Sequence, residues 1–451
     1  MDRRSLRNIM RRIAYKIASR TAGLSTFLGV VLFACGVPAS SQRLQQKLEF
    51  VLIVSRHGVR SPLATNAELD RYSARPWPKW EVAPGKLTAH GYEAMVRFGA
   101  YHRAWLIGEG VLPIRACPEK LVFIHADSDQ RAVASGQALA EGLSPECRLN
   151  VHSRPPGELD VLFHPAALPL GGAARDVALE SLRKRLHGDP NLPTSTNQRL
   201  LDQMQQLLDG CGIGAQCSSV PPAPAKRLLE IPATIKPGND DHLFELRGPL
   251  ATSSSLAEDL LMEYANGDPI SSVGWGMLDE GQIRRLVGLH TAYFELTHRT
   301  PFVAQVEASN LLDRILRTLN QAIAGERTPG AFGDPGTKLV ILVGHDSNLA
   351  ALAALLHLNW TVDGRADDTP PGAEVQFLVF RDRKGRASIR LRCVVQTLTQ
   401  MRNLQSLSRR NPPAQLDLVV PGCPSGGGLC AWNDFRHFAA AAINPGFVEG
   451  H

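Results

Sequence analysis

Residues 48–60 read LEFVLIVSRHGVR, and the fold follows from how that stretch divides. Leu48 to Val54 form a short, nearly continuous apolar run rich in branched side chains, the pattern of a strand buried on both faces of a parallel sheet. Ser55-Arg56-His57-Gly58-Val59-Arg60 then turns abruptly polar and cationic. Two further runs, LVFI at 121–124 and KLVILV at 338–343, have the same texture, and each is followed by a helical pattern, RAVASGQALAEGL and SNLAALAALLHL. That rhythm predicts an α/β fold with an open, mostly parallel sheet flanked by helices. After residue 370, the alternating segments EVQFLVFRD and ASIRLRCVVQTL, joined by the turn DRKGR, predict an antiparallel continuation of the sheet.

Between 155 and 298 the texture changes. DVALESLRKRL, NQRLLDQMQQLL and LAEDLLMEYANG are helical patterns separated by Pro-rich loops, and no strand pattern dominates. The expected organisation is a leader over 1–41, a first core part over 42–154, a mainly α cap over 155–298 and a second core part over 299–451.

Composition is ordinary for a globular chain: 451 residues, 44% hydrophobic and 20% charged, which excludes a disordered, collagenous or many-pass membrane protein. The formal charge of +6 is carried entirely by residues 1–41, so the remaining body is neutral and no nucleic-acid surface is expected. Those residues read as an export leader, with a basic start, the apolar run GLSTFLGVVLFA and small residues from Cys35 to Ser41. Leu32-Phe33-Ala34-Cys35 allows a lipid anchor at Cys35, against ordinary cleavage near Ala39 to Ser41; a periplasmic or secreted protein is expected either way. The oligomeric expectation is a monomer or homodimer. Cysteines agree with export. Proximity suggests the pairs Cys117/Cys147, Cys211/Cys217 and Cys423/Cys430, other pairings staying open. Cys393 is left over on an alternating strand face, where a buried, inert thiol is expected. No cysteine spacing makes a four-ligand zinc site.

In an open α/β sheet, ligands bind beyond the carboxyl ends of the strands. Behind the three runs stand Arg56-His57-Gly58-Val59-Arg60, then His125-Ala126-Asp127-Ser128-Asp129-Gln130-Arg131, then Gly344-His345-Asp346-Ser347-Asn348. Three arginines, histidines and carboxylates converging on one edge suit phosphoryl transfer. Guanidiniums grip phosphate oxygens, an imidazole can attack phosphorus, and a carboxylic acid can protonate the leaving oxygen. His-Asp alone carries no information; directly after a second buried strand, in a chain with the first motif, it does.

Together these residues resemble the histidine acid phosphatases, most closely the bacterial periplasmic group of phytases and glucose-1-phosphatase. The likeness extends through KLTAHGYEAM, WGMLDEGQ, ELTHRTPFVA, LVGHDSNLAAL and LNWTVDGRADDTPPGAEVQF to the Cys423/Cys430 loop. The resemblance implies His57 as covalent nucleophile, Arg56, Arg60 and Arg131 as the phosphate grip, His345 as a further phosphate contact and Asp346 as proton donor. It also implies a phosphoglycerate-mutase-like sheet with a cap beside it, and neither metal nor cofactor. Independently, three guanidiniums should depress the His57 pKa, and a bound phosphate should favour a protonated Asp346.

Phytate-specialised members surround the pocket with cations. Here Leu63-Ala64 follows the first motif, with Ala64 where a lysine often sits, and Glu307 stands where arginine can occur; both changes remove positive charge. The preferred substrate is therefore a sugar phosphate such as glucose 1-phosphate, or small phosphomonoesters broadly, with phytate as the alternative. Glu258 is a candidate reaching from the cap toward the substrate, or else a solvated helix residue. His102, His152, His164 and His290 are read as background, and Asp127 and Asp129 as loop hydrogen-bonders. A mutase of the same superfamily, disfavoured by the leader, and a catalytically silent phosphate-binding protein, disfavoured by the intact nucleophile and acid, are the readings from other classes.

Overall fold

The protein is described by a computed structural model covering residues 46–168, 172–214, 224–238, 242–423 and 429–450, all within one compact unit. The leader, Cys35 and Cys217 lie outside the described residues, and so does the proposed Cys211/Cys217 pairing.

The main sheet contains β1 (Lys47–Arg56), β2 (Val122–Ala126), β3 (Val151–His152), β4 (Leu339–Gly344), β5 (Glu374–Arg381), β6 (Ala387–Val395), β7 (Ala414–Leu418) and β8 (Cys430–Ala431). Its order is β7-β6-β5-β1-β4-β2-β3, with β8 beside β6. β1, β4, β2 and β3 run parallel, whereas β5, β6, β7 and β8 pair antiparallel. The expected antiparallel continuation after residue 370 is present.

Burial explains why the runs read as continuous rather than alternating. Phe50, Leu52 and Val54 of β1, with Val340 and Leu342 of β4, enter the core on one face. Val51 and Ile53, with Leu339, Ile341 and Val343, enter the core on the other. Each such side chain contributes roughly 1.5–3 kcal/mol when fully buried. Helices α1 (Ala89–Gly108) and α2 (Gln130–Leu143) cover the second face. The helices over 301–324, 346–355 and 432–442 cover the first. Thr88 caps α1 by accepting from the Gly91 amide at 2.8 Å. Gly91 is required because a Cβ there would lie 2.2 Å from the Val59 carbonyl oxygen, so its absence lets α1 press against the loop after β1.

Between residues 155 and 298 the structure is chiefly helical, and it contains α3 (Gly172–Arg185), α4 (Gln198–Leu208), α5 (Pro249–Ala265), α6 (Glu280–Leu286) and α7 (Gly288–Thr297). α8 (Pro301–Ala324) and α9 (Asp346–Leu355) follow. A short antiparallel ribbon, Thr234–Pro237 with Phe244–Arg247, was not legible, because four residues per strand are too few to establish a period. α4, α5 and α6 share an apolar cluster with Val59, Leu69 and Trp77 from the segment that joins β1 to α1.

Cys117–Cys147 and Cys423–Cys430 are disulfides, and Cys393 is free and buried, its thiol pushed well above the ordinary cysteine range mainly by burial.

Candidate active site

Backbone hydrogen bonds join the carboxyl ends of β1, β2 and β4. The His57 amide donates to the Gly344 carbonyl at 2.9 Å, and the Asp127 amide to the Val343 carbonyl at 2.9 Å. Three loops therefore leave the sheet side by side, carrying Arg56, His57, Arg60, Asp127, Arg131, His345 and Asp346 to one place. Gly344 must be glycine there: a Cβ would lie 2.5 Å from both Asn348 Oδ1 and Phe163 Cδ1.

His57 is 2% exposed. Its Nδ1 lies 2.8 Å from the Gly58 carbonyl oxygen, which can only accept, so Nδ1 carries the proton and Nε2 keeps its lone pair. Burial, then Arg56, Arg131, His345 and Arg60, hold the imidazolium form well below the ordinary histidine range. The depression expected from the guanidiniums is present, but burial is its largest cause.

Arg56 donates to the Thr369 carbonyl at 2.6 Å, contacts Asp346 at 2.9 Å and is paired with Glu258. Arg60 reaches the other Glu258 oxygen at 2.6 Å and lies 3.8 Å from Asp259. Arg131, opening α2, pairs with Asp129 at 2.6 Å and stands 3.4 Å from His345 Nδ1. Glu258 is thus not on a solvated face. It lies on a stretch of α5 that is buried throughout from Leu256 to Ala265, and its two oxygens are clamped by two guanidiniums, the arrangement a bound oxyanion would adopt. Burial alone would raise its carboxyl, but Arg60 and Arg56 outweigh burial and lower it. Asp259 behind it is pushed up to about 7 by burial.

Asp346 is the first residue of α9. Burial would raise its carboxyl; Arg56, then His290, His345 and Arg60, win and hold it well below the usual carboxylate range. His345 donates from Nε2 to Asp127 Oδ2 at 2.7 Å, and its ring stands 5.6 Å from that of His57.

Several residues were placed wrongly by sequence reasoning. His290, read as background, has Nε2 3.8 Å from Asp346 and Nδ1 3.1 Å from Ser254 Oγ. His164, also read as background, has Nε2 3.0 Å from Asp127. Asp127 is more than a loop hydrogen-bonder, since it holds both His164 and His345. The spacing His290, Phe294, His298, along α7 and its C-cap, whose rings lie in tilted contact one after another, was an available signal for His290. No local signal marked His164. Glu307 accepts from His298 Nδ1 at 2.8 Å, so its charge is already engaged. Leu63 is 61% exposed, and Ala64 packs on the helical cluster. His125 pairs with Asp160 at 2.7 Å, as a structural histidine should.

Among the described residues, two groups bring potential metal ligands within 4.8 Å of one another: Asp127, Asp129, His164 and His345; and Glu258, His290 and Asp346. In both, a guanidinium already supplies the local cation, Arg131 against Asp129 and Arg56 against Asp346. The donor set fits an anion held by arginines better than a metal ion.

Residues 47–171 and 255–394 match the family described as the histidine phosphatase superfamily (branch 2). Phytase AppA of Escherichia coli is 33% identical over 88% of this chain and 93% of its own length. A glucose-1-phosphatase of Salmonella typhimurium is 29% identical over 90% of this chain and 95% of its own. Among solved structures, Hafnia alvei phytase in complex with tartrate superposes with a TM-score of 0.80 at 29% identity, covering 89% of this chain and 98% of that one. The same phytase in complex with myo-inositol hexakis sulphate gives 0.78 at 28%, with the same coverage.

Proposed function

This chain belongs to the histidine phosphatase superfamily (branch 2), in the bacterial phytase and glucose-1-phosphatase group, and we propose that it hydrolyses small phosphomonoesters through a phosphohistidine at His57. It is a histidine-type acid phosphatase, and its Cys117–Cys147 and Cys423–Cys430 disulfides suit an extracytoplasmic compartment. The observation that carries the mechanism is the buried His57, tautomerically fixed by Gly58 and surrounded by arginines.

In this mechanism Arg56, Arg60 and Arg131 grip the phosphoryl group, displacing Glu258 from the first two. His57 Nε2 attacks phosphorus; the new N–P bond forms as the ester O–P bond breaks. Asp346 protonates the departing oxygen. Neutralising Arg56 by a bound phosphate removes the main cause that keeps Asp346 ionised, so its proton affinity rises when substrate is present. Water then attacks phosphohistidine, Asp346 takes its proton, and phosphate leaves. Residues 155–298 serve as the cap over this edge. His345 contacts the phosphate from its Nδ1 side.

For substrate, a sugar phosphate or other small ester is favoured over phytate. Asp129 spends part of the Arg131 charge, Glu307 adds negative charge, and Leu63 and Ala64 add none. These features weaken attraction for a polyphosphate. Phytate is the second reading, favoured by the phytase relatives. The test compares glucose 1-phosphate, phytate and p-nitrophenyl phosphate on the purified enzyme, with rapid acid-free quenching to trap a labelled residue 57. A kcat/KM highest for phytate overturns the substrate reading; absence of the adduct overturns the mechanism.

A further inference from the structure

Asp127 is fully buried, and one of its oxygens, Oδ2, receives two imidazoles: His345 Nε2 at 2.7 Å and His164 Nε2 at 3.0 Å. The rings of His345 and His164 are 5.4 Å apart. On its other side His345 turns Nδ1 toward Arg131 at 3.4 Å. A guanidinium only donates, so Nδ1 bears the lone pair, Nε2 bears the proton, and His345 is neutral. An Nδ1 lone pair repels a phosphate oxygen. For His345 to hold phosphate from this side it must take a second proton and become imidazolium, with Asp127 as its counter-ion.

His164 competes for that counter-ion. We propose that His164 sets the pH at which His345 takes up its phosphate-binding proton, by sharing the single carboxylate oxygen of Asp127. The charges facing His164 are Asp127 and Asp129, which favour its imidazolium, with Arg131 opposing; together with burial they leave its proton affinity raised. Those facing His345 are Asp127 and Asp129 in favour, and Arg131, His164 and His57 against, with Asp346 adjacent in the chain. The net effect on His345 is downward, burial being the largest cause. A cationic His164 therefore lowers the affinity of His345 for its second proton both by repulsion and by occupying Asp127. The outcome is a phosphate grip looser in acid solution than three arginines and an unopposed imidazolium would give. His164 is a positioning residue: it acts through Asp127 and His345, not on the phosphate.

This inference rests on the reading of His345 as a phosphate contact. The test uses the full enzyme with sulfate, a tetrahedral dianion that does not itself titrate in the working range, and follows histidine ring nitrogens by 15N NMR, with His345→Asn and His164→Asn to assign them. With sulfate, His345 should change from one protonated nitrogen to two. In His164→Asn, whose amide still donates to Asp127 without charge, the midpoint of that change should move up by about half a pH unit or more. The inhibition constant of inorganic phosphate should fall several-fold, with its alkaline limb displaced upward. A merely structural His164 would alter thermal stability and leave both midpoints where they were, which would overturn the proposal. So would a His345 that stays neutral with sulfate bound while His345→Ala loses activity. A His345 unmoved by sulfate together with a fully active His345→Ala would instead overturn the underlying contact.

Discussion

The parallel and antiparallel halves of the sheet each contain a buried histidine joined to a carboxylate, with different consequences. Between α1 and the start of β5, His102 Nε2 lies 2.9 Å from Glu374, and both side chains are 0% exposed. Beyond β2 and β4, His345 lies 2.7 Å from Asp127, again buried, but its other nitrogen faces Arg131 and its ring faces His57. The chemistry of the pairs is nearly the same. The position is not. In the parallel half, three strands end at the same edge, so their following loops must gather; Glu374, at the start of the antiparallel β5, stands opposite Ser55 at that same edge, but the His102 pair is sealed under α1. A buried ionisable pair marks a site only where the topology opens it to a ligand.

The largest expected effect separates the halves directly. His57→Ala should lower turnover of p-nitrophenyl phosphate by about a thousandfold or more. His102→Ala should leave turnover per folded molecule unchanged but destabilise the protein by about 1–3 kcal/mol, because Glu374 loses a partner. Loss of turnover in both, at equal folded fraction, would break the comparison. Asp346→Asn comes next. It should reduce kcat for glucose 1-phosphate by about 100-fold or more, and less for p-nitrophenyl phosphate, whose leaving group needs little protonation. Equal losses on both esters would assign Asp346 to binding instead.

Glu258→Gln should have a smaller and opposite effect on binding. Removing the carboxylate charge that holds Arg56 and Arg60 should lower KM for small esters several-fold while reducing Tm, since two buried guanidiniums lose a counter-ion. An increased KM would make Glu258 a substrate ligand rather than a competitor. The pH profile sharpens the same contrast. In the proposed mechanism the nucleophile is the neutral form of His57, and its pKa is depressed, so kcat/KM should hold well below the ordinary histidine value of 6.5 and fall only as pH drops through the lowered one. A limb near 6.5 would mean that the burial and the arginines around His57 are relaxed in solution. Smallest of all, Cys393→Ala should leave kinetics unaltered, and the native thiol should resist aromatic disulfide reagents until the protein unfolds.

What was legible before folding follows the range of the interaction. The apolar runs of β1, β2 and β4 are local and long enough to mark strands buried on both faces, so the loops after them were identifiable as one edge, and with them Arg56, His57, Arg60, Arg131, His345 and Asp346. Glu258 could be named but not placed, because whether α5 is buried depends on what packs around it. His290 and His164 were missed for the same reason: each meets its partner across a long stretch of chain, Asp346 in one case and Asp127 in the other. Sequence by itself determined the cationic, histidine-bearing edge, since a strand and its next residues are covalently joined. Only tertiary packing decided which carboxylate neutralises the arginines and which imidazoles share Asp127, since those choices depend on distances and desolvation that no local pattern encodes.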